Sequence, residues 1–123
     1  MKYVILIHSN PTSRRVFDNL PAERQLDLAR GHRAFGQSLT DAGVLVTSEG
    51  LVPAEHSVWV TVKDGELQAT DGPYAETKEY LAGFYVIECD SMEQAVEHAS
   101  HAPDAAYNQV EVRPVFDWST IDI

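Results

Sequence analysis

The chain has 123 residues, enough for one domain that buries a core of its own. Its formal charge of −10 argues against nucleic acid and anionic membrane as partners, because both require a basic surface. Hydrophobic residues at 44% beside 23% charged ones suit a soluble globular protein, and no run reaches membrane-spanning length.

The N-terminal run MKYVILIH is apolar but short and has no small-residue cleavage site, so a cytoplasmic protein is expected. Residues 2–8 predict a strand. Tyr3, Ile5 and Ile7 point one way, while Val4, Leu6 and His8 point the other. Both faces are apolar, so this strand needs cover on both sides. Residues 9–20 read as a polar loop ending near Pro21, a suitable first helical residue. A helix follows to Ala42, with Leu28, His32, Phe35 and Leu39 on one face and Gly43 closing it.

Residues 44–47 form a short strand. Residues 57–63 alternate, with Val58, Val60 and Val62 against Trp59 and Thr61, and Asp64-Gly65 predicts a two-residue hairpin returning through residues 66–70. Residues 81–89 form a strand apolar on both faces, ending at Cys89. That single cysteine has no partner for an internal disulfide and reads as a buried structural thiol. Ser91 with Gln94 makes a capping box for a second helix, whose inward stripe is Met92, Ala95, Val96 and Ala99 and which ends at Pro103. Residues 109–116 form the last strand, Val110 and Val112 inward, Glu111 and Arg113 opposite. No linker or repeat divides the chain, so residues 1–123 form one domain. The expected fold is α+β: a ferredoxin-like sandwich, an antiparallel sheet with two helices on one face. The second apolar face then needs a cover, and another copy of the chain is the simplest one.

His32 shares the apolar face of the first helix. It reads either as a core-rim histidine bonded to a backbone carbonyl or as a general base or acid with a tuned proton affinity. Asp71 reads either as a turn residue capping the backbone of Gly72 or Tyr74, or as a carboxylate that orients the histidine. Glu76, Lys78 and Glu79 read as a solvated turn or the start of a helical turn. His8 ends its strand where a pocket could border it. His8, His32, Asp71 and Glu76 follow no metal-ligand spacing, and neither a phosphate-cradling glycine loop nor a GxSxG elbow occurs, so neither metal nor cofactor is expected. His98 lies off the apolar stripe of the second helix and is expected to be exposed, while His56 and His101, in a loop and at a helix end, have no partner legible in sequence.

The run TDGPYAETKEYLAGFYVIE, residues 70–88, resembles the signature of YCII-related proteins of the DGPF-domain type, approximately TDGPFAETKE, with Tyr74 replacing phenylalanine. MKYVILIH, GHRAF, AGVLVTSEGL and VEVRPV extend the resemblance over almost the whole chain. The resemblance implies a ferredoxin-like domain paired sheet to sheet as a dimeric α/β barrel. It also implies a helix–sheet pocket for an unidentified small molecule, with a catalytic histidine and aspartate. These carry over onto His32 and Asp71, with Asp104 as the competing carboxylate and His8, Tyr74 and Glu76 toward the ligand. The family's activity is generally unassigned, and many members are encoded near extracytoplasmic-function sigma factors. Two readings follow: a cofactor-free proton-transfer enzyme, or a non-catalytic ligand-sensing or accessory protein whose acidic surface meets a sigma-factor-linked partner.

Overall fold

The computed structural model describes residues 1–72 and 78–122. Four strands, β1 (Lys2–Ser9), β2 (Leu45–Gly50), β5 (Tyr80–Glu88) and β6 (Val110–Pro114), form an antiparallel sheet in the order β2-β5-β1-β6. Strands β3 (Val58–Lys63) and β4 (Glu66–Asp71) form a separate two-stranded ribbon between β2 and β5. Among the described residues there are three α-helices, α1 (Pro11–Asp18), α2 (Ala22–Asp41) and α3 (Met92–Ala99), beside short 3-10 turns. With the ribbon set aside, β1-α2-β2 and β5-α3-β6 are two interlocked split β-α-β units, the ferredoxin-like arrangement.

The strand alternation places the core. Tyr3, Ile5 and Ile7 lie opposite Ile87, Tyr85 and Gly83 and are buried. Phe35 and Leu39 of α2 and Ala95 and Ala99 of α3 close over them. Ile5, Leu39 and Ile87 are the largest fully buried side chains, each contributing about 1.5–3 kcal/mol by burial. On the other face Val4 pairs with Val86 and Leu6 with Phe84, four apolar side chains away from the helices.

Two expectations are corrected. Residues 9–20 are not all loop, because α1 runs through them. Asn10 caps it, its Oδ1 accepting from the Ser13 amide at 2.8 Å, Pro11 starts it, and Arg14 pairs with Asp18 one turn on at 3.0 Å. The helix buries no residue, so no apolar stripe announced it. In α3 the inward row is only Ala95 and Ala99; Met92 and Val96 face outward, because two small side chains let the helix sit close to the sheet. The capping box is present, Ser91 Oγ accepting from the Gln94 amide, while the Gln94 side chain accepts from the Asp90 amide.

The hairpin forms as expected, with Asp64 at φ 53° and Gly65 at φ 79°, both in the left-handed region that a tight two-residue turn requires. Every residue of β3 and β4 is exposed, Val60, Val62 and Leu67 included.

Candidate functional site

The α2 face that carries Phe35 and Leu39 into the core also brings His32 to the core's rim, one helical turn earlier. Its imidazole is one-third exposed. Two elements meet it. From β5 comes Tyr85, a helix-facing residue whose Oη lies 2.9 Å from His32 Nδ1 and 3.4 Å from the His32 carbonyl oxygen. From the 3-10 turn Pro103–Tyr107 comes Asp104, whose Oδ1 lies 2.5 Å from His32 Nε2.

Local sequence explains why that turn stands there. Pro103 supplies its first position, and Asn108 ends it in the left-handed region at φ 58°. Gly31 lets the turn approach α2: a Cβ on Gly31 would lie 3.1 Å from Pro103 Cγ, tighter than ordinary contact. Glycine at the residue before His32 thus sets the distance at which the residue after Pro103 meets the histidine.

Phe35 packs edge-on against Tyr85, with ring centroids 4.8 Å apart, which fixes the phenol. The His32 and Tyr85 rings are 10° from parallel, with centroids 6.3 Å apart, too far for face stacking, so they meet through edges and the hydrogen bond. Burial, and then the negative charge of Asp104, hold the Tyr85 hydroxyl above its ordinary pKa of 10.0. Tyr85 therefore stays a neutral phenol at neutral pH. Among the described residues, Asp104 forms an ion pair with His32 and with no lysine or arginine.

The carboxylate at His32 is Asp104, the competing position, and not Asp71. Asp71 ends β4, exposed and opposite Val58 in the ribbon, and no hydrogen bond or ion pair links it to His32. Its neighbour Gly72 has a structural task. The Gly72 amide donates to the Ser57 carbonyl at 2.8 Å, and a Cβ there would collide with Ser57 Oγ and stand 2.8 Å from the Trp59 ring. The Asp-Gly of the signature is thus the point where the chain passes against Trp59. Tyr74 and Glu76 lie outside the described residues.

His8 is not gathered with His32. Its Nε2 meets Glu111 Oε1 at 2.9 Å, and Glu111 also accepts from Arg113 Nη2 at 2.8 Å and Nε at 3.0 Å. Glu111 lies opposite Leu6 in the sheet register, on the face away from the helices. The two histidines therefore stand on opposite faces of the sheet. Cys89 is half-buried against the core, its thiol 3.5 Å from the Ser91 carbonyl. His98 is half-buried; His56 and His101 are exposed beside Glu55 and Glu97.

Two concave surfaces accompany the site. A groove of about 440 Å³ runs between α2 and the end of α3, lined by Gly31, Ala34, Phe35, Ser38, His98 and His101. It is adjacent in sequence to His32 through Gly31, but neither His32 nor Asp104 lines it. A more apolar cleft of about 470 Å³ lies at the foot of the ribbon, with Leu51, Val58, Trp59, Tyr80 and Leu81 in its wall. Among the described residues no group of three or more His, Cys, Asp or Glu side chains is placed to hold a metal ion.

Sequence reasoning missed Tyr85, which read only as one residue of an apolar strand. A signal was available: it shares the inward parity of Ile87, and a tyrosine turned into a core needs a partner for its hydroxyl.

The YCII-related domain family matches over residues 1–119. An uncharacterized protein of Rhizobium meliloti (strain 1021) is 32% identical over 118 residues, covering 94% of this chain and 92% of the relative. Among solved structures, 5-chloro-2-hydroxyhydroquinone dehydrochlorinase from Burkholderia phenoliruptrix AC1100, in complex with 2,5-dihydroxybenzoquinone, superposes with a TM-score of 0.55. It covers 99% of this chain and 100% of its own at 14% identity, a likeness of fold.

Proposed function

This chain belongs to the YCII-related domain family, and from that premise we propose that it binds a small molecule beside His32 and transfers a proton there through the His32–Asp104 pair. One observation carries the reading: a partly exposed histidine is held on one side by a carboxylate that pairs with no lysine or arginine among the described residues and on the other by a buried tyrosine. A carboxylate that orients an imidazole and offsets its developing charge is what general acid–base chemistry requires. The groove at Gly31 is next to His32 in sequence but is not lined by it, so the ligand of this reading meets the exposed third of the imidazole itself. The dehydrochlorinase of similar fold was solved with a dihydroxyquinone, which supports a small ionisable ring compound as the first ligand to test.

The DGPF-type signature and the sheet-to-sheet homodimer belong to the same proposal. Val4, Leu6, Phe84 and Val86 make an apolar patch opposite the helices, and a second copy would cover it. Light scattering at micromolar concentration should give twice 13.7 kDa; a monomer would refute the pairing.

The functional test is an NMR titration with 2,5-dihydroxybenzoquinone. Saturable movement of the His32 ring signals, with binding weakened about tenfold or more in His32→Asn and that variant still folded, supports the site. Failure of the ring signals to respond to the quinone overturns the proposal for this ligand class. Binding at His32 without turnover favours the ligand-sensing alternative over the enzyme.

A further inference from the structure

Both ring nitrogens of His32 are engaged, and the two bonds differ in kind. An ionised carboxylate only accepts, so Nε2 donates its hydrogen to Asp104 Oδ1. In the neutral ring Nδ1 is then an acceptor, and the hydroxyl 2.9 Å away must donate to it. When the ring takes a second proton, Nδ1 becomes a donor. A fixed donor at that place would then oppose it. A phenol hydroxyl does not, because its hydrogen rotates. The Tyr85 oxygen can accept from Nδ1–H while its own hydrogen turns to the His32 carbonyl, 3.4 Å away. The second partner belongs to the same residue, so both arrangements exist without moving a ring.

We propose that Tyr85 is a positioning residue for His32, its hydroxyl satisfying Nδ1 as donor in the neutral state and as acceptor in the cationic state. This deepens the proposed proton-transfer reading and rests on it for its purpose, though not for its geometry. The proton gained by the ring resides on Nδ1, the N–H···O bond to Asp104 persists, and the phenol is neutral in both states, its oxygen taking a proton from the ligand where its own passes to the ring. The raised proton affinity of the phenol suits that part. The titratable groups that meet His32 are Asp104 from the Pro103–Tyr107 turn and Tyr85 from β5. On α2 itself, Leu28, Ala29, Phe35 and Gly36, three and four residues away, carry no ionisable group. His98 and His101 line the groove at Gly31, and no ion pair links them to His32.

The test is nitrogen NMR of the His32 ring in the wild-type protein and in Tyr85→Phe, which keeps the ring that Phe35 packs against. In the wild type the neutral ring should carry its hydrogen on Nε2, and the Nδ1 signal should show a hydrogen bond received. In Tyr85→Phe the Nδ1 signal should move to that of an unbonded imine nitrogen. In the cationic state its Nδ1–H should exchange with water about tenfold faster, the loss of one charge-assisted bond. A purely structural Tyr85 would lower the melting temperature and leave both signals unchanged, which overturns the proposal. As a check that needs no variant, the wild-type Tyr85 Cζ signal should follow the protonation of His32; a Cζ signal indifferent to it also overturns the proposal. The two readings fail separately. Unchanged nitrogen signals with quinone binding intact defeat only the role of Tyr85, whereas the expected signals without any binding defeat only the proposed function.

Discussion

Among the described residues, two of the histidine–carboxylate pairs flank the sheet, His32–Asp104 on the helix face and His8–Glu111 on the other, and they are not equivalent. His8 shares Glu111 with Arg113, which donates two hydrogen bonds to the same carboxylate. Arg113 already balances that negative charge, whatever the imidazole does. On the helix face Asp104 pairs with His32 and, among the described residues, with no lysine or arginine, and a buried phenol closes the other side of the ring. The difference teaches what singles out His32, rather than His8, for the proposed role. The residue pair is the same, and what distinguishes the two is whether another cation satisfies the carboxylate.

The largest effect should come from removing each carboxylate in turn. Asp104→Ala leaves His32 Nε2–H without its acceptor at a half-buried position, at a cost of about 1–2 kcal/mol. It should also release the His32 ring from its single orientation. Glu111→Ala leaves Arg113 exposed to water, should cost less, and its effect should vanish in high salt. Urea denaturation of both variants at low and high salt makes the comparison. Equal costs with equal salt dependence would remove the distinction between the two faces.

A finer probe is Gly31→Ala. The substitution favours the helix by up to about 1 kcal/mol through backbone entropy. Against that gain, the new methyl would press on Pro103 and move the turn carrying Asp104 by a few tenths of an ångström. Stability should therefore change little while the His32 ring signals move and quinone binding weakens, the His8 signals remaining in place. If His32 is undisturbed, the close approach of Gly31 and Pro103 does not set the site.

Much of the fold was legible because the period-2 and period-3.6 patterns followed burial. Tyr3, Ile5 and Ile7, then Phe35 and Leu39, state the core outright. Helix α1 was not legible by that route, since it buries nothing and is held by a cap and a surface ion pair. The site was half legible. His32 stood out as a polar residue on an apolar stripe. Its partner was uncertain because Asp71 and Asp104 lie 39 and 72 positions away in sequence, and tertiary contacts such as that of Gly31 with Pro103 bring one of them to the ring. Spacing carries no trace of such a contact.

The smallest effect concerns pH, and it sharpens the comparison because the two faces respond at opposite ends of the scale. Hydrogen bonds from Arg113 and then His8 hold Glu111 below its ordinary value of 4.5. A depressed carboxyl contributes stability that is present above its unfolded value and is lost as pH falls through the lower folded one. The open face should therefore weaken in acid, and Glu111→Gln should remove that part of the acid dependence. Burial and the charge of Asp104 raise Tyr85 above 10.0. A group whose folded value is raised contributes stability that is present below its unfolded value and is lost as pH rises through the folded one. The helix face should therefore weaken in alkali, and Tyr85→Phe should flatten that limb. Melting temperatures of wild type, Glu111→Gln and Tyr85→Phe from pH 3 to about 11 test both limbs. Should Tyr85→Phe flatten the acid limb, or Glu111→Gln the alkaline one, the charges of the two faces are coupled through the sheet and the contrast between them fails.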